Sequence, residues 1–153
     1  GNLYTAKPYS NFILRLEFKV PPGGNNGLGI RSGVQGNPAY SAMELQVLDN
    51  EAPCYKNLKP YQYHGSVYGV APAKRGFLRP AGEWNSQEVR AEGSHIQVIL
   101  NGHTIVDTDL AKIEKPYMDG NEHPGLLNES GHIGFLGHGS PVAFRAIRIK
   151  ELK

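Results

Sequence analysis

Apolar side chains recur at every second position through most of this chain, a period that belongs to half-buried β-strands and not to helices. In NFILRLEFKV, Phe12, Leu14, Leu16, Phe18 and Val20 share one face, while Asn11, Arg15, Glu17 and Lys19 dominate the other. AMELQVLD repeats the pattern, with Met43, Leu45 and Val47 opposite Glu44 and Gln46. GLGIRSG places Leu28 and Ile30 on one side and Gly27, Gly29 and Arg31 on the other. GSVYGV reads as a short strand, and EWNSQEVRAEG, SHIQVILNG and HTIVDTDL read as successive hairpin strands. Asn101-Gly102 is the strongest turn signal, because both residues tolerate the positive φ of a type I′ turn. GHIGFLGHG and PVAFRAIRIKEL supply two more strands around Ser140-Pro141. Residues 50–64 and 111–130 keep no period and read as loops, the second with room for a short helix. The 19 glycines and 11 prolines fit a chain that turns often, and no long amphipathic helix or repeat competes. The expected class is all-β, a sandwich or barrel.

A length of 153 residues suits a single domain spanning 1–153. The net charge is +2 and the 16 basic residues are scattered along the chain, which argues against nucleic acid as partner and leaves a neutral ligand such as a sugar open. Cys54 is alone, so neither an intrachain disulfide nor a cysteine metal cluster can form. No apolar run approaches the length of a membrane span, and membrane insertion is not expected. HExxH, GxSxG, P-loop and dinucleotide patterns are absent.

The order of motifs is more specific than any one of them. NLYT, FILRLEFKVPPGGNNGLGIRS, MELQVLDN, GSVYGVAP, PAGEWNSQEVRAEGSHIQVILNG and GHIGFLGHGSPVAFRAIRIKEL together resemble the 3-keto-disaccharide hydrolase domain family over nearly the whole chain. The resemblance implies a concanavalin A-like jelly-roll β-sandwich of two antiparallel sheets. It also implies a bacterial protein of the periplasm or the cell exterior, and a segment before NLYT that is usual in the family and lacking here. The closing motif departs from the family pattern, which commonly has Gln at Leu136 and Asp at Gly137.

The activity implied is cleavage of glycosides whose sugar already carries a ketone at ring carbon three. It proceeds by elimination and then hydration, without a cofactor, after a sugar oxidoreductase has supplied the ketone. Such chemistry needs a base, a group for the enolate oxygen and an acid for the leaving oxygen. Glu44 is the candidate base, Arg31 its partner or the polariser of the ketone, and His138 the acid. Gln46 is a candidate for binding sugar hydroxyls and Tyr68 for stacking on the sugar or donating to the ketone. Asp49, Lys74 and Arg145 are further candidates, although Asp49 at a strand end could simply cap a turn and Arg145 could pair with an acid at the surface. Trp84 is expected in the core. DGNEH, Asp119 to His123, has the oxygen-rich look of a calcium loop without its full spacing, and a turn is the better reading. The alternative to an enzyme is a catalytically silent carbohydrate-binding module, with a domain of a larger surface protein as a third reading.

Overall fold

The computed structural model describes residues 1–153, apart from the side chains of Pro38 and Ala39. Nine strands form two antiparallel sheets. The first, in order β1-β8-β3-β4, joins β1 (Asn2–Tyr4), β8 (His132–Gly137), β3 (Asn25–Ser32) and β4 (Met43–Leu48). The second, in order β7-β6-β5-β2-β9, joins β7 (His103–Asp109), β6 (His95–Leu100), β5 (Asn85–Glu92), β2 (Phe12–Lys19) and β9 (Ala143–Glu151). Helix is confined to one turn, α1 (Pro38–Ser41), and three short 3-10 turns.

The alternation read in the sequence decides how the sheets stack. Phe12, Leu14, Leu16 and Phe18 of β2 are buried and face Leu28 and Ile30 of β3 and Met43, Leu45 and Val47 of β4. The polar positions of β3 and β4 are thereby turned to the outer face of the four-stranded sheet. Asn101 and Gly102 take φ of 49° and 84° at the β6–β7 hairpin, as their pair predicts. GSVYGV departs from expectation: Gly69 takes φ 79°, and Val67 forms isolated bridges with Leu45 and Ala71 instead of a strand. The turn still lies along the open side of β4, where Gly65 N–H donates to Gln46 O (2.7 Å) and Tyr68 N–H to Glu44 O (2.9 Å).

Two buried polar side chains tie the sheets together. His64 stacks on Phe18 (4.8 Å between ring centroids), accepts at Nδ1 from the Leu48 N–H and meets Gln87 Oε1 of β5 through Nε2 at 2.8 Å. Its ring is therefore neutral with the hydrogen on Nε2, and complete burial pushes its pKa down to about 4. Arg31 is the second tie, and it corrects the sequence expectation. The β3–β8 register shifts between Gly29 and Ser32, and Arg31 takes φ 51°, so the alternation that carried Gly27 and Gly29 to the outer face breaks before it. Its guanidinium instead donates to Ser10 O (2.8 Å), Gly93 O (2.5 Å) and Asn11 Oδ1 (3.2 Å), with 3% of the residue exposed. Arg31→Met leaves those acceptors unpaired and is expected to lower the unfolding free energy by about 2–4 kcal/mol, read as an earlier midpoint in urea.

Candidate active site

The outer face of the four-stranded sheet holds a groove of about 430 Å³, within the range of small-ligand sites. Its floor comes from three strands in register. Gly27 stands opposite Gln46 of β4 on one side and Leu136 of β8 on the other. Gly29 stands opposite Glu44 and Gly134. The walls come from outside the strands: Tyr40 from α1, Tyr55 and Leu58 from the stretch after β4, and Gln62 and Tyr68 along its edge. Asn25 and His138 close one end.

Glu44 is the chemical centre of this surface. Its carboxylate leans across the neighbouring strand over bare backbone, so that a Cβ placed on Gly27 would lie 2.7 Å from Glu44 Oε1. Only glycine leaves that space. The residue is 8% exposed, and burial raises its pKa from the ordinary 4.5 to about 7. The carboxyl is thus divided between acid and base near neutrality, the condition a general base requires. Tyr68 is held beside it by the backbone bond to Glu44 O and receives a hydrogen bond from Gln62 Nε2 at 3.2 Å, which leaves the phenol hydrogen to donate elsewhere. His138 is exposed at the mouth, one residue past the Asn26–Gly137 pair. Strand spacing puts its backbone roughly 8 Å from that of Gly27, within the span of one sugar.

Glu44, Gln46, Tyr68 and His138 therefore line one groove, and the other named candidates do not. Arg31 is engaged between the sheets, for the reason given above. Asp49 caps the β2–β3 turn, where Oδ2 accepts from Gly23 N–H at 2.9 Å. Arg145 belongs to β9 in the other sheet; its guanidinium lies 3.8 Å from the Trp84 ring and bonds Glu17 Oε1 at 3.1 Å. Trp84 is accordingly a partly exposed platform for Arg145 and Lys19, not a core anchor. Lys74 is exposed in a loop whose backbone bonds Ile105 of β7.

DGNEH forms a turn, as read, in which His123 Nε2 meets both oxygens of Asp119 at 2.9 and 3.0 Å. Burial pushes the Asp119 carboxyl up, but the Asn121 N–H and His123 outweigh it and hold it below its usual range. The His123 ring lies 5.2 Å from that of Tyr40, so this buried pair buttresses one groove wall. Tyr40, Tyr55, Gln62 and Asn25 were missed by the sequence reading. Three of them sit in aperiodic stretches and the fourth precedes the expected start of β3, so no alternation marked them.

A two-sheet antiparallel sandwich with a polar groove on the outer face of one sheet defines the class: a concanavalin A-like jelly-roll β-sandwich, a fold shared with the Caenorhabditis elegans galectin LEC-6. The chain belongs to the 3-keto-alpha-glucoside-1,2-lyase-like domain family, whose model matches residues 1–150. It is 35% identical to a 3-keto-disaccharide hydrolase of Bacteroides thetaiotaomicron over 99% of its own length, and spans 62% of that curated relative. A provisionally assigned glycosyl hydrolase from Parabacteroides distasonis has a crystal structure that superposes with a TM-score of 0.87 at 30% identity, covering 99% of this chain and 83% of that one. The carbohydrate-binding module CBM66 from Bacillus subtilis aligns at TM-score 0.64 and 12% identity, covering 98% and 81%, a likeness of fold alone.

The two perturbed groups pull stability in opposite directions. With a folded pKa near 7, Glu44 contributes stability that is full below pH 4.5 and lost as pH rises through 7. With a folded pKa near 4, His64 contributes stability that is full above pH 6.5 and lost as pH falls toward 4. Wild type should therefore show a shallow pH dependence between about 4.5 and 6.5. Glu44→Gln should melt higher than wild type at pH 8 by about 1–3 kcal/mol of stability, match it near pH 4, and expose the His64 slope between. A variant that melts lower at pH 8 would contradict the burial of this carboxylate.

Proposed function

We propose that this chain cleaves glycosides carrying a ketone at ring carbon three, by elimination followed by hydration. The observation that carries the reading is Glu44: a buried carboxyl with its pKa raised to about 7, aimed into a polar groove. The ketone acidifies the proton on carbon two. Glu44 removes it, and the electron pair moves into the carbonyl to give an enolate, whose oxygen takes a hydrogen bond from the Tyr68 phenol. Collapse of the enolate forms the double bond between carbons one and two and expels the glycosidic oxygen, which receives a proton from His138. Water then adds: His138, which has given up its proton, takes one from the water as the hydroxyl bonds to carbon one, and protonated Glu44 returns a proton to carbon two. The products are a free 3-keto sugar and an alcohol.

Tyr68 takes the part first expected of Arg31, and it does so without a formal charge in the groove. Two carboxylates flanking the bond, as ordinary glycosidases use, are not needed in this scheme. The ketone has to be supplied by a sugar oxidoreductase. The family membership and the similarity to proteins named for 3-keto-disaccharide and glycosyl hydrolysis support the substrate class. One observation favours the second reading, a binding module without turnover: Leu136 puts an apolar side chain on the floor beside Gly27.

A chromogenic 3-keto-glucoside separates the two. Release by wild type, cut by about 100-fold or more in Glu44→Gln, is the expected result, and binding without release by wild type leaves the module. Between pH 5 and 8 the rate should rise through an apparent pKa near that of Glu44, about 7. Gly27→Ala, which pushes the carboxylate off its seat, should lower kcat more than it raises KM.

A further inference from the structure

Among the described residues, two buried side-chain polar atoms are left without a hydrogen-bond partner, Gln46 Oε1 and Asn25 Oδ1, and both residues line the groove. Gln46 is 6% exposed, so its amide oxygen is a desolvated acceptor beside the carboxylate of Glu44. Asn25 is held in place by its own backbone, whose N–H donates to Ser140 Oγ at 3.2 Å. In the β3–β4 ladder Gln46 is opposite Gly27 and Asn25 opposite Leu48, so the two amides are diagonal neighbours roughly 7 Å apart at their bases. An unpaired buried acceptor is costly in a protein with no use for it, and groups of this kind are usually completed by what binds.

We infer that Gln46 and Asn25 form a hydroxyl-reading pair that fixes which way round the sugar lies; the inference rests on the lyase reading of the groove for its account of orientation. An amide oxygen accepts and cannot donate, so each calls for a ligand O–H. A ketone only accepts, so it can complete neither oxygen, and placing it at this end leaves both unpaired. The keto edge of the ring is thus directed to Tyr68, whose phenol hydrogen is available on the far side of Glu44, and the hydroxyl edge to the amide pair. That orientation sets the acidic carbon over the carboxylate seated on Gly27. The spacing of the amides suits two hydroxyls that are not neighbours on the ring. The ligand class is a pyranoside with those two hydroxyls free, neither alkylated nor oxidised.

The test uses methyl glucoside and its monodeoxy analogues in calorimetric binding, and the corresponding 3-keto-glucosides in turnover. With wild type, deoxygenation at two non-adjacent positions should each weaken binding by about tenfold, the equivalent of one well-made hydrogen bond. Gln46→Met should lose about the same on the parent sugar and become indifferent at one of those positions; Asn25→Leu should do so at the other. A purely structural role would weaken all analogues alike and keep the discrimination, which would overturn the pair. Tight binding that ignores every deoxygenation would overturn it too, as would no binding of any glucoside. Discrimination in binding with no turnover by wild type would sink the lyase reading and leave the pair standing. Turnover with discrimination unchanged in Gln46→Met and Asn25→Leu would do the reverse.

Discussion

Phe12, Leu14, Leu16 and Phe18 leave water only if a second apolar face closes over them, and Leu28, Ile30, Met43, Leu45 and Val47 provide it. Because side chains alternate strictly along a strand, this burial also dictates where the polar half of β3 and β4 must go. Glu44 and Gln46 do not reach the groove by any preference of their own. They are delivered there by Met43, Leu45 and Val47, and a register slip of one residue would bury the acid in the core and empty the site. The packing of the sandwich and the composition of its outer face are one constraint seen from two sides.

Glu44 is where stability and use part company. Covering a carboxyl with loops and neighbouring strands makes the ionised form costly, and stability is lost to it as pH rises from about 4.5 through about 7. The same cover makes the carboxylate a stronger base than one in water. A destabilising feature that sits in a groove, over a glycine that leaves room for it, is better explained by what it does than by what it holds together. His64 is the contrast. It is perturbed as far in the opposite direction and lies wholly within the interior, and its hydrogen bonds to Leu48 and Gln87 give it a purely architectural account.

Legibility in the sequence followed periodicity. The strands of β2, β4, β5, β6 and β7, the Asn101-Gly102 turn and the outward facing of Glu44 and Gln46 were readable because each depends on local alternation. Arg31 was misplaced because one bulge reverses parity, and nothing in GLGIRSG announces a positive φ on an arginine. For Arg145 and Asp49 the sequence left a sugar contact open beside a surface ion pair and a turn cap, and the structure shows the latter two, because sheet membership and turn capping are long-range facts. The motif order reached the family directly. The walls of the groove stayed hidden: Tyr40, Tyr55 and Gln62 come from segments whose only regularity is how they fold back on β4.

By strand order alone β4 is an edge, with a row of backbone groups free to recruit a foreign strand. The stretch around Gly65 to Tyr68 occupies those groups without becoming a strand itself. It works as a selvedge: it keeps the ribbon that carries Glu44 and Gln46 from fraying, sliding or zipping onto another molecule. Insertions and changes in the stretch between β4 and that hem would therefore be felt twice, once in solubility and once in the placement of Tyr68. The two traits would be inherited together.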